Sequence, residues 1–196
     1  MSRARTPEVG AGPDVVLQVG GLDDATLVAR CVGGERTAFD VLVERHQRAV
    51  YQLCYRFVRN HEDAADLAQD VFIRAFKGLG NFKGDAQFTT WLYRVGVNVC
   101  LNRLALKRPE TEELEPARHI DERAEDPFQA VVRGERAATV RRAIAQLPPK
   151  QRAAVLLRVY QDLSHEEIAR VLGSTVGAVK ANFFHALGNL KRLLES

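Results

Sequence analysis

The sequence predicts an all-α protein built as two small helical domains joined by an acidic flexible linker. Three observations carry that expectation. Apolar residues recur at three- and four-residue spacings along most of the chain, and no stretch shows the alternation of a half-buried strand. The segment from Pro109 to Pro127 breaks this pattern with three prolines, eight acids and two bases, and has no apolar stripe. Beyond it, Ala169, Gly173 and Val179 have the spacing of two short helices that cross closely around a tight turn. The expected division is a tail over 1–21, one domain over 22–108, the linker over 109–127 and a second domain over 128–196.

Each element has a local reason. The first twenty residues are rich in Gly, Pro and small side chains and lack a helical period. Asp23–Val32 reads as a short helix closed by Gly33 and Gly34. Thr37 is placed to cap a long helix reaching about Val58. A third helix runs from Glu62 to Leu79, stopped by Gly78 and Gly80. Asn81–Asp85 is a loop, and Gln87–Lys107 is a helix that Pro109 ends. Phe128–Leu147, Pro149–Tyr160, Ser164–Leu172 and Val176–Leu194 complete the set. In the last pair Ser164 and Glu167 form a capping box, Gly173 permits a left-handed turn and Thr175 caps the final helix.

Composition narrows the function classes. An apolar fraction of 46% over 196 residues supplies folded cores, and no run is long enough to span a membrane. Arg3 and Arg5 are not followed by an apolar stretch, so no secretory signal is expected. Cys31, Cys54 and Cys100 are widely spaced and odd in number, which suits buried thiols in a reducing, cytoplasmic setting. The net charge is +3, but the linker carries −6 and the remainder +9. Two basic bodies flanking an acidic tether suggest a polyanionic partner.

Enzyme signatures are weak. His165-Glu166-Glu167-Ile168-Ala169 begins like a zinc-protease helix, but Ala169 stands where the second histidine belongs. Asp63, Asp66 and Asp70 have metal-like spacing without loop ligands. No catalytic residue, cofactor, metal or small-molecule substrate is expected.

Three surfaces carry chemistry. On the Glu62–Leu79 helix, Ala64, Leu67, Ala68, Val71, Phe72, Ala75, Phe76 and Leu79 form the apolar face. Opposite lie Asp66, Gln69, Asp70 and Lys77 around an outward Ile73, the pattern of a protein-contact spot with an acidic rim. The second surface is the loop Phe82, Lys83, Gly84 and Asp85 with the helix after it. That helix is expected to bury Phe88, Leu92, Val95, Val99 and Leu106. Arg94 and Asn98 lie on another side, and Arg103, Lys107 and Arg108 add charge towards its end. Rings mixed with bases and amides suit unstacked nucleic-acid bases, and Phe82 is the preferred stacking ring over Trp91 or Tyr93. The third surface is the second helix of a helix-turn-helix, the motif that sets one helix in a DNA major groove. Lys180, Asn182, Phe184 and His185 fall in its first half and middle, residue types that pair with adenine, reach guanine or phosphate, or touch a thymine methyl. Phe183 reads as core, with Phe184 open between burial and contact. Arg158, Lys191 and Arg192 suit phosphate contacts.

The order of these parts resembles a known family. Asp63 through Phe76, Phe82 through Asp85 and Phe88 through Asn98 resemble region 2 of the extracytoplasmic-function sigma factors, small sigma-70-type initiation subunits of bacteria. Leu147 through Arg152 and Leu163 through Lys180 resemble their region 4. The likeness covers about residues 22–194. It implies that Asp66, Gln69, Asp70 and Ile73 dock on the clamp helices of the polymerase β′ subunit, with the β flap as a further contact. It implies that Phe82, Lys83, Gly84 and Asp85 capture a flipped base of the promoter −10 element, and that Asn98 reads the same strand, with Arg94, Arg103, Lys107 and Arg108 beside it. For the −35 element it implies Arg158, Ser164, His165, Thr175, Lys180, Ala181, Asn182, Phe184 and His185. The linker would thread the polymerase channels, and an anti-sigma inhibitor is a further implied partner. Ala181, Asn182, His185 and Leu187 stand where the family usually has Arg or Ser, so the docking mode carries over and the generic −35 sequence does not. A free-standing helix-turn-helix regulator, or an adaptor without a nucleic-acid role, remain alternatives at this point.

Overall fold

The computed structural model describes residues 21–106 and 127–195, with side chains from 135 onward in the second stretch. The expected tail (through residue 20), Lys107, Arg108 and the linker through residue 126 lie outside the described residues. Among the described residues there are eight α-helices and no strand: α1 (Asp24–Val32), α2 (Arg36–Val58), α3 (His61–Gly78), α4 (Phe88–Leu106), α5 (Pro127–Gln146), α6 (Pro149–Tyr160), α7 (His165–Leu172) and α8 (Val176–Glu195). A 3-10 turn, Leu79–Asn81, follows α3. None of these helices is long and apolar enough to cross a membrane.

The first unit, α1 to α4, is built around α2, which packs against the other three helices. Its core holds Leu27, Leu42, Leu53, Phe57, Val71 and Leu92. Asp23 caps α1 by accepting the Thr26 amide at 2.8 Å. Asp24 then ties α1 to α2, taking His46 Nε2 at 2.7 Å and Arg45 on its other oxygen. Cys54 and Cys100 lie against each other in the core, and that thiol–thiol hydrogen bond, together with burial, pushes the Cys100 pKa up. Cys31 is half-buried. Gly96 marks the closest approach of α4 to its neighbours, since a Cβ there would stand 3.3 Å from Leu53 Cδ2 and 3.7 Å from Val71. Gly96→Leu is expected to destabilise the protein by roughly 1–3 kcal/mol through overpacking. Chemical denaturation checks this, and an unchanged midpoint would contradict the close approach.

Three expectations need correction. Thr37 does not cap α2. The helix begins at Arg36 after Glu35, and the Thr37 hydroxyl lies 3.4 Å from Glu35 Oε1. The reason is the closure of α1: Gly34 sits at φ +102°, and the Glu35 amide donates back to Arg30 O at 3.0 Å, so the chain re-enters a helix early. Phe76 is not core. It is 43% exposed and meets Phe39 edge-on at 5.0 Å. On α4, Leu106 is 80% exposed and Val95 only half-buried, while Gly96, Val97 and Cys100 are buried. A single-stripe reading fails there because α4 has partners on two sides.

Besides α2 and α3, those partners include helices of the second unit, α5 to α8, whose core includes Ile144, Leu147, Leu156, Leu157, Ile168, Val171, Val179 and Ala186. Helix α7 packs along α4, and α5 and α6 pack against α2, so the apolar core runs continuously through both units. Arg152 bridges them. Its guanidinium donates to Phe57 O at the end of α2 (3.1 Å) and to Ala145 O and Leu147 O within its own unit. Burial pulls its pKa below the ordinary arginine value.

The helix-turn-helix forms as its sequence dictates. Ser164 Oγ accepts the Glu167 amide at 3.2 Å, and Glu167 Oε2 accepts the Ser164 amide at 2.8 Å. Gly173 is left-handed at φ +57°, and the Ser174 amide donates to Ala169 O at 2.9 Å. Thr175 Oγ1 then accepts the Ala178 amide at 3.2 Å. The Ser164 amide and hydroxyl hold the Glu167 carboxyl below its ordinary value of 4.5. A depressed carboxylate contributes stability that is fully present above the unfolded value and is lost as pH falls through the folded one. Glu167→Gln is therefore expected to flatten the acid limb of the stability profile below about pH 4.5. Denaturant melts on both sides of that pH read the difference, and parallel profiles would count against it.

Candidate nucleic-acid interface

The outward stripe of α3 stands as a surface. Asp66 and Gln69 are exposed, Asp70 is half-exposed and Ile73 is 52% exposed. Sequence reading missed Arg74, whose Nε donates to Asp70 Oδ2 at 2.9 Å. The signal was available as an i, i+4 acid–base spacing. The stripe is therefore less acidic than its carboxylates alone suggest. Beside it, Gln69 borders a groove of about 450 Å³ between α2 and α3, lined also by Val43, Arg48, Tyr51 and Phe72. An apolar centre, a mixed-charge rim and an adjacent groove suit a helical protein partner.

The loop after α3 lies against the start of α4. Lys83, Gly84 and Asp85 are exposed, with Gly84 at φ +76°. Phe82 is half-buried, tilted against Trp91 at 5.4 Å and edge-on to Phe88 at 6.1 Å. The ring thus belongs to an aromatic cluster, with Trp91 as its neighbour rather than a distant rim. A cavity of about 320 Å³ opens there, lined by Asn81, Phe82, Lys83, Asp85, Thr90, Trp91 and Arg94 together with Arg170 of α7. It offers π-faces, amide and hydroxyl groups and cations in one place, the combination that an unstacked base takes. Thr90, a buried polar residue, and Arg170, eighty-odd positions away in sequence, were not singled out from the sequence.

Further along α4, Arg94 and Asn98 are exposed on the outer side. Arg103 is paired: its Nη2 lies 2.6 Å from Asp63 Oδ1, closing α4 onto the start of α3. The ion pair spans forty residues, so no local pattern foretold it.

On α8, Lys180, Ala181 and His185 are exposed, Asn182 is half-buried and Phe184 is 73% exposed. Phe183 turns inward against the core and meets His165 at 5.8 Å. The alternative that Phe184 is core is thus excluded by its exposure. Ser164 and Thr175 serve as helix caps, and Arg158 Nη1 donates to Leu163 O at 3.0 Å across the α6–α7 turn. No group of His, Cys, Asp and Glu able to hold a metal occurs among the described residues.

Comparison with known proteins agrees with this arrangement. Residues 42–109 match the family model for Sigma-70 region 2, and residues 137–190 match that for Sigma-70 region 4. The chain is 39% identical over 181 residues to the RNA polymerase sigma-H factor of Pseudomonas aeruginosa, covering 88% of this chain and 94% of that one. It is 37% identical over 175 residues to the ECF RNA polymerase sigma-E factor of Escherichia coli K12, covering 84% and 91%. The chain belongs to the extracytoplasmic-function sigma factors. Among solved structures, CnrH in complex with the cytosolic domain of CnrY superposes with a TM-score of 0.66 at 28% identity, over 88% of this chain and 97% of that one. In sigma-factor terms, α2 to α4 supply most of region 2 and α5 to α8 most of region 4.

Proposed function

We propose that this sigma factor binds core RNA polymerase through α3, chiefly Asp66, Gln69, Asp70 and Ile73, and directs promoter-specific initiation. Region 2, over 22–108, takes the −10 element: the cavity at Phe82, Lys83, Gly84 and Asp85 holds a flipped base, and Arg94 and Asn98 follow the strand. Region 4, over 128–196, presents Lys180, Ala181, Asn182, Phe184 and His185 to the −35 major groove. Arg158 and the helix N-termini at Ser164 and Thr175 face phosphates. The acidic segment 109–127 lies in polymerase channels shaped for nucleic acid. The protein acts in the cytoplasm, catalyses no reaction of its own, and is held in check by an anti-sigma protein.

The observation that carries this reading is the exposure of two unlike surfaces on one chain, the Ile73 stripe and the Phe184 face, each within its own sigma region. Promoter opening then proceeds by capture rather than chemistry. Unstacking a base costs a few kcal/mol, which stacking and hydrogen bonds in the loop cavity offset. Docking on polymerase fixes the separation of the two regions and raises the effective concentration of the second element.

The test mixes the purified chain with bacterial core polymerase lacking any sigma and sequences transcripts from a randomised promoter library. A shared pair of upstream elements at fixed spacing is the expected result. Random start sites, or no stimulation over core alone, would overturn the reading.

A further inference from the structure

A crevice of about 140 Å³ lies between the two units, and none of the base-reading residues named above lines it. Arg56 and Arg59 at the end of α2 and Arg141 of α5 line it, with Tyr55, His61 and Tyr160 among the other walls. No Asp or Glu is among the described residues that line it. The aromatic rings hold the cations in place. Arg56 lies over the Tyr160 ring at 4.2 Å, and Arg59 over Tyr55 at 5.4 Å. Tyr55 is itself stacked on His61 at 4.5 Å, and His61 Nδ1 is 2.6 Å from the Tyr51 hydroxyl.

The polar groups here are incompletely satisfied. Arg56 Nη1, Arg59 Nε, Arg141 Nε and Tyr55 Oη are buried with no hydrogen-bond partner among the described residues. Buried donors without partners are rare in folded proteins, and each costs free energy. Burial pulls Arg56 and Arg59 below the ordinary guanidinium range, and Arg141 adds like-charge repulsion on Arg59. Three guanidiniums from two units therefore converge with no carboxylate among the described residues that line the crevice.

We propose that this crevice binds a small phosphate-bearing anion, which pins regions 2 and 4 together. Guanidinium forks match phosphate oxygens in bidentate geometry, and the unsatisfied donors supply the hydrogen bonds. The size selects the class. The volume is below the roughly 300–1,000 Å³ of sites for drug-sized ligands, so it takes a compact anion or the terminal phosphoryl of a larger one. A nucleic-acid duplex cannot enter a crevice of about 140 Å³ walled on both sides by helices. Because Arg56 and Arg59 belong to one unit and Arg141 and Tyr160 to the other, ligation rewards the packed arrangement. The proposal does not depend on the polymerase role.

Calorimetric titration at fixed ionic strength tests it on the full chain, with inorganic phosphate, pyrophosphate and acetate as probes. Saturable single-site binding of phosphate or pyrophosphate is expected, about tenfold weaker in Arg59→Gln and Arg141→Gln. Arg142→Gln, which removes an exposed charge one position along α5, is expected to bind like the unaltered chain. No saturable binding by the unaltered chain would overturn the proposal without recourse to any variant. Equal weakening in Arg141→Gln and Arg142→Gln would reduce it to general charge attraction. Acetate binding as tightly as phosphate would reassign the site to a carboxylate from a protein partner. Hydrogen exchange supplies the second readout: saturating pyrophosphate is expected to slow amide exchange where the two units meet, and unchanged protection would refute the pinning.

Discussion

Asp70→Arg combined with Ile73→Ala is expected to abolish detectable binding to core polymerase and to leave the helical content unchanged. Both side chains project from α3 away from the core, so neither substitution opens a cavity. Ile73 is the apolar centre of its surface, and truncating a central anchor typically costs 2 kcal/mol or more, about a thirtyfold loss. Reversing Asp70 adds a second effect. Asp70 now pairs with Arg74, and an arginine in its place would put two cations one helical turn apart, turning a mixed rim into a basic one. Together the changes should weaken binding at least about a hundredfold. Fluorescence anisotropy with labelled chain measures it, with circular dichroism as the fold control. Unaltered affinity would remove α3 from the docking surface.

Phe82→Ala is expected to reduce promoter opening about ten- to a hundredfold while sparing closed-complex formation, since base–aromatic stacking is worth roughly 1–3 kcal/mol per base. The structure sharpens the control, because Phe82 also packs on Phe88 and Trp91 and its loss lowers stability somewhat. A packing role alone would lower the melting midpoint and leave strand opening normal once polymerase is bound. A stacking role would suppress permanganate reactivity of the −10 strand in complexes that still protect the −35 element. A normal permanganate pattern in the variant would exclude Phe82 from base capture.

What was legible in the sequence was local. The capping box at Ser164 and Glu167, the left-handed Gly173 and the cap at Thr175 each depend on residues within a few positions of one another, and all three formed as expected. The outward position of Ile73 followed from helical period alone. What was illegible depended on partners distant in the chain. The burial of Cys100 against Cys54 of α2, and of Val97 beside it, depends on helices far away in the chain that pack on α4, among them α7 some seventy residues on. The Arg103–Asp63 pair and the arrival of Arg170 beside Phe82 have the same origin. Thr37 failed as a cap for a subtler reason: after the closure of α1 the chain is already helical at Arg36, which leaves Thr37 inside the helix.

The packing of α7 along α4 has an energetic consequence for recruitment. Region 4 cannot leave region 2 without wetting apolar surface on α4 and α7, so separated conformers are a minority of the free chain. Polymerase that engages the separated form sees only that minority, and its apparent dissociation constant is the intrinsic one divided by the separated fraction. Sequence changes at the buried positions of the α4–α7 seam would thus set how much of this sigma factor must accumulate before it competes for core enzyme.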